Sequence, residues 1–208
     1  MTNRTNTRPS LWSSPLLWIL LLVGGAAIAA ALLAARDDAS ITPALETSTV
    51  EVSGNALPPF AVPDPAVGLV APGIVATTLD GERVSVASDG SARVMGFFAH
   101  WCPHCQAELP QVVDWLAASD LPGSVEVMAV STSVRSDGDN YPPSAWFTRT
   151  GWPNMVLLDS ASGEIAAMHG LTVFPYWVAV DGHGEVVARA TGQIDEAQFR
   201  HLIAAANG

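Results

Sequence analysis

The chain has 208 residues, with nine arginines and no lysine set against 20 acids, and a formal net charge of −11. Phosphate binding needs a basic footprint and none is present, so nucleic acid is excluded as a partner. The acidic balance serves solubility, with a preference for basic partner proteins as the rival reading.

From Pro9 to Ala35 no side chain is charged, and the run Leu16–Ala35 is long enough to cross about 30 Å of hydrocarbon at ~1.5 Å per helical residue. Arg4 and Arg8 precede this run, while Arg36 is followed at once by Asp37 and Asp38. The positive-inside bias therefore puts residues 1–15 in the cytoplasm and the bulk of the chain outside, in the extracytoplasmic space. Its length favours a retained transmembrane anchor over 16–35; the small residues Ala29-Ala30-Ala31 leave cleavage as an export signal open. Residues 36–67 mix Pro, Ser, Thr, Ala and acids without periodicity and read as a flexible linker. Residues 68–208 have the size of one ordinary domain and show no internal repeat.

Within that domain, strands are expected at Ile74–Leu79 and Arg83–Val86, flanking the tight-turn pair Asp80-Gly81. Arg93–Ala99 is an apolar strand, Pro103–Ala118 a helix stopped near Pro122-Gly123, and Ser124–Ser131 a second buried strand. Thr132–Tyr141 is polar and irregular. A short helix opens at Pro142-Pro143-Ser144 and runs through Arg149, and Met155–Leu158 is a short strand. Glu164–His169 forms a helix or turn, Tyr176–Val180 and Val186–Thr191 a hairpin, and Asp195 caps a final helix to Ala206. β-α-β followed by β-β-α implies an α/β fold with a central mixed sheet flanked by helices.

The only two cysteines lie in Trp101-Cys102-Pro103-His104-Cys105, at the expected start of the helix after a buried strand. A pair spaced i, i+3 there can close a small disulfide, and the free first-turn N–H groups with the positive end of the helix dipole stabilise a thiolate. Cys102, at the helix entry, is the candidate nucleophile; Cys105, one turn in, is the resolving thiol. His104 can add positive charge or a hydrogen-bond donor beside that thiolate. A structural zinc site would need about four ligands, and His100, His169, His183 and His201 show no matching spacing, so no metal is expected. A purely structural disulfide across so short a loop would constrain the unfolded chain little.

The order of elements, the Trp-Cys-x-x-Cys motif and Phe174-Pro175 just before a strand resemble the thioredoxin fold. Ala71-Pro72 ahead of the hairpin, Glu108-Leu109-Pro110 after the motif and the insertion before the later strands resemble its membrane-anchored TlpA/ResA/DsbE-like branch. The resemblance covers about Gly68 to Asn207. It implies that Pro175 is a cis-proline facing the cysteines, with the Phe174 backbone available to a substrate segment. It also implies that Glu108 adjusts the acidity of the cysteines, the more so because Gly96 stands where thioredoxin carries a buried acid. Trp101 and Trp177 either flank the site as an apolar rim or pack internally. The implied activity is thiol–disulfide exchange on exported proteins, carried by the cysteine pair with no prosthetic group. Scaffold and anchor suggest a reductant, with apocytochrome c among the substrates and a membrane redox partner recycling the pair. Pro103-His104, the dipeptide of the oxidant DsbA, points the other way. A redox-inert binding module remains the rival from another class.

Overall fold

The computed structural model describes residues 46–118 and 122–208. The apolar run at 16–35 lies outside the described residues, and among the described ones no helix is long and apolar enough to cross a membrane. Eight strands form one sheet: β1 (Glu51–Ser53), β2 (Gly73–Thr78), β3 (Arg83–Val86), β4 (Ala92–Phe98), β5 (Val125–Ser131), β6 (Val156–Leu158), β7 (Tyr176–Val180) and β8 (Val186–Thr191). The described helices are α1 (Pro103–Ala118), α2 (Pro143–Thr150), α3 (Glu164–Met168) and α4 (Glu196–Asn207). The strands lie in the order β1-β2-β6-β5-β4-β7-β8, with β3 also paired to β2. β4, β5 and β6 are mutually parallel and the other pairings antiparallel, giving the mixed sheet expected.

The central strand β4 is buried along its whole length, which is why it reads as a continuous apolar run. Its residues alternate between two cores. Val94 and Phe98 join Leu109 and Val112 of α1, Trp146 and Phe147 of α2, and Phe199, Leu202 and Ile203 of α4. Met95 and Phe97 face the other way, onto Ile165 of α3 and the N-terminal residues Leu57 and Ala66. The β2–β3 hairpin turns through Gly81 at φ 82°, and Asp195 caps α4 by accepting from the Gln198 N–H at 2.8 Å while the Gln198 side chain accepts from the Asp195 N–H at 3.0 Å. α2 lacks a capping side chain of its own. Glu46 supplies one from 98 residues away, accepting from the Ser144 N–H at 3.0 Å and its hydroxyl at 2.6 Å.

That contact is one sign that the linker expected over 36–67 is, from residue 46 on, part of the folded unit. β1 pairs with β2, the Leu57 N–H donates to the Met168 carbonyl at 2.8 Å, and Leu57 and Ala66 are buried. The segment looks structureless in sequence because it is held at isolated points rather than along a periodic face. The strongest point is ionic. Asp64 pairs with Arg189 of β8, 125 residues away, whose guanidinium also donates to the Pro58 carbonyl at 2.9 Å and the Tyr176 hydroxyl at 2.8 Å. Removing one partner of a buried pair leaves the other charge uncompensated. Arg189→Met is expected to lower the unfolding free energy by about 3–5 kcal/mol in urea titration, whereas the surface pair Arg200–Glu196 should contribute under about 1 kcal/mol.

Candidate active site

Chain direction places the cysteines. β4 ends at Phe98, the Cys102 N–H donates to the Ala99 carbonyl at 3.0 Å, and the first helical bond of α1 runs from the Gln106 N–H to the Cys102 carbonyl at 3.0 Å. Cys102 is therefore the residue before the first helical position, which Pro103 fills without wasting an N–H. Both cysteines are free thiols. Cys102 keeps 7% exposure and Cys105 none, so of the two cysteines only the first meets solvent. Burial pushes the Cys105 thiol well above the ordinary thiol range, and nearby Cys102 and Glu108 push it the same way. Among the described residues no group of three His, Cys, Asp or Glu side chains could hold a metal ion.

Glu108, one turn beyond Cys105, faces inward and is 1% exposed. Its carboxylate accepts from the Trp177 indole N–H at 2.8 Å and from the Ile194 backbone N–H at 2.6 Å. Burial raises the carboxyl to about 7, and these two donors restrain the rise. Trp177 is fully buried and so belongs to the core rather than to an apolar rim. Its place is set by Gly96, its register partner across β4 and β7. A Cβ at Gly96 would lie 2.7 Å from the Trp177 ring and 2.7 Å from the Phe98 ring. The side chain missing from Gly96 is thus the space the indole occupies.

The second wall comes from the entry to β7. Tyr176 pairs with Phe97, so the preceding Phe174-Pro175 peptide, which is cis, lies beside the end of β4. Pro175 is buried, Phe174 half-buried, and the Trp101 ring meets the Phe174 ring edge-on at 6.1 Å. Trp101, Cys102, Cys105 and Glu108 with Phe174 and Pro175 thus share one region. His104 stands apart from them: it is exposed, and its Nδ1 is engaged with Gln193 Oε1 at 2.8 Å. Ile194 and Gln193, in the β8–α4 connection, carry no local sequence signal, and neither does the link between Trp177 and Glu108. The one available cue was Gly96 in an otherwise bulky strand.

A mixed sheet of this order, with a free dithiol at the start of the helix after its central strand and a cis-proline at the neighbouring strand, defines a thioredoxin-like thiol–disulfide oxidoreductase. The pattern of the family described as Redoxin matches residues 53–203, and the chain belongs to that family. Two relatives agree with the class. Sporulation thiol-disulfide oxidoreductase A of Bacillus subtilis is 23% identical over 59% of this chain and 73% of its own length, and the thiol:disulfide interchange protein DsbE homolog of Paracoccus denitrificans is 25% identical over 65% and 72%. The crystal structure of StoA from Bacillus subtilis superposes with a TM-score of 0.52 at 24% identity, over 66% of this chain and 98% of that one. A DsbE-like protein of Chlorobium tepidum gives 0.54 at 21% identity, over 67% and 96%. The thioredoxin-like, DsbE-like resemblance drawn from the motifs stands.

Two measurements follow from the Glu108 geometry. A carboxyl whose folded value is raised binds more protons folded than unfolded between about 4.5 and about 7. Its burial therefore weakens the fold as pH rises through that window, by roughly 3 kcal/mol. The stability of the native chain relative to Glu108→Gln should accordingly fall between pH 5 and pH 8 in parallel urea titrations. Gly96→Ala drives a methyl into the indole and should destabilise the fold by about 1–3 kcal/mol. It should also disturb the Trp177 indole N–H resonance in NMR spectra.

Proposed function

We propose that the protein exchanges thiols and disulfides with exported proteins in the extracytoplasmic space, held to the membrane by residues 16–35 with its N-terminus in the cytoplasm, and that it works mainly as a disulfide reductant. The Cys102 thiolate attacks a substrate disulfide, forming a mixed disulfide and releasing one substrate thiolate. The Cys105 thiol then gives up its proton, its sulfur attacks Cys102 Sγ, and the second substrate thiolate leaves. Two electrons pass to the substrate, and the Cys102–Cys105 disulfide is re-reduced by a membrane redox partner. Glu108 receives the Cys105 proton. Apocytochrome c, whose cysteines must be reduced before haem is attached, is a substrate of the right kind.

The observation that carries this reading is the burial of Cys105 beside Glu108. A thiol that holds its proton strongly makes the disulfide harder to reduce and the dithiol a better reductant. A carboxyl near 7 one turn away is matched to take that proton at neutral pH. The alternative, a DsbA-like oxidant, is favoured by Pro103-His104 alone.

Equilibration of the Cys102/Cys105 couple with glutathione tests the direction. A potential near or below about −270 mV supports the reductant, and one near about −120 mV the oxidant. In the same assay Cys105→Ser should accumulate a mixed disulfide that Cys102→Ser cannot form. The double serine variant should lose all exchange; retention of its biological effect would point instead to a binding module.

A further inference from the structure

His100, between β4 and the cysteine motif, is 1% exposed and has no part in the exchange chemistry described above. Its ring is nevertheless fully engaged. Nδ1 lies 2.6 Å from the Asp139 carbonyl oxygen, and the Arg135 N–H donates to Nε2 at 3.1 Å. A carbonyl only accepts and a backbone amide only donates, so one form satisfies both contacts: the neutral ring with its proton on Nδ1. The His100 carbonyl in turn accepts from the Gln106 side chain of α1 at 2.9 Å, and its ring meets Tyr141 edge-on at 6.0 Å.

Both ring contacts go to residues of the 132–141 loop, which joins β5 to α2. The loop contains two non-glycine residues at positive φ, Ser133 (52°) and Asn140 (60°), a backbone shape that needs outside support. It also touches the site. The Ser133 carbonyl accepts from the Trp101 indole N–H at 2.7 Å, the Arg135 guanidinium carbon lies 5.0 Å from the Trp101 ring centroid, and Gly138 packs on the Trp101 Cβ. Trp101 also meets Phe174 edge-on.

We propose that His100 is a positioning residue for polypeptide substrates. By fixing the 132–141 loop it holds Trp101 and Arg135 in place beside Phe174-Pro175, so that the surface a substrate segment meets next to Cys102 is already formed. Loss of the clamp leaves the sulfurs and Glu108 in place but lets that surface move, and the effect falls on substrate binding rather than on the chemical step. This role rests on the exchange reaction proposed above.

The test is steady-state reduction of insulin by the full chain with dithiothreitol as electron source. His100→Phe keeps a ring but removes both contacts, and should raise KM roughly three- to tenfold with kcat little changed. His100→Gln can donate through Nε2 and accept through Oε1, and should restore most of the lost affinity. Gly138→Ala disturbs the same loop with the His100 side chain unchanged: its Cβ would lie 2.8 Å from Trp101 Cβ and 3.2 Å from His100 Cε1, so it too should raise KM. A wild-type KM in His100→Phe or in Gly138→Ala overturns the proposal, as does His100→Gln proving no better than His100→Phe. Absence of insulin turnover in the unsubstituted chain overturns the exchange reading itself, and this role with it.

Discussion

The site depends on one buried carboxylate. Glu108 sits under the cysteine pair at 1% exposure, and a charge there is tolerable only because two donors from distant parts of the chain converge on it. Trp177 arrives from β7, 69 residues on, and Ile194 from the β8–α4 connection, 86 residues on. The three elements that surround the dithiol are thereby tied to a single functional group. The same two donors set its chemistry. Burial alone favours the neutral acid, the donors favour the carboxylate, and the balance lies near neutrality.

A comparable solution recurs on the other face of the sheet, with the charges reversed in role. Arg189 is the buried ion there, and Asp64 with the Pro58 carbonyl and the Tyr176 hydroxyl compensates it. The consequence is structural: residues 46–67 are fastened to β8 and bring Leu57 and Ala66 into the second core. Both buried ions stand on elements of regular structure and recruit partners far away in sequence. Each therefore fixes tertiary arrangement more than it adds local stability.

Legibility in the sequence followed the range of the interaction. β3 and α1 lie where periodicity, the Asp80-Gly81 turn and Pro103 place them, and α4 starts at the Asp195 cap, because these signals act within one turn or one hairpin. The Cys102/Cys105 pair was equally plain. Residues 46–67 read as linker because their anchors, Glu46 on Ser144 and Asp64 on Arg189, are 98 and 125 residues from their partners and leave no local pattern. Trp177 could be read as rim or core until the β4–β7 register set it against Gly96. In sequence His100 is one of several histidines without a partner pattern, since nothing in its neighbours reveals that the loop 35–39 residues on supplies both a donor and an acceptor.

The pairing of Gly96 with Trp177 also bears on how, in the proposed exchange, an acid on α1 serves the dithiol while β4 carries none at position 96. A side chain on β4 at position 96 would have to rise through the layer now filled by the indole. Deleting it admits the ring, and the ring brings an N–H to the underside of α1. An acid placed three residues after Cys105 then shares a helical face with that sulfur, because i and i+3 positions are neighbours about 5–6 Å apart. Helix geometry keeps carboxylate and thiol in fixed relation, whereas an acid on the strand would depend on how helix and sheet pack. In the proposed exchange that relation matters most when Cys105 must lose its proton, the step that burial makes hardest. Glycine, tryptophan and glutamate are therefore one device contributed by β4, β7 and α1, and replacing any one of them changes what the other two can do.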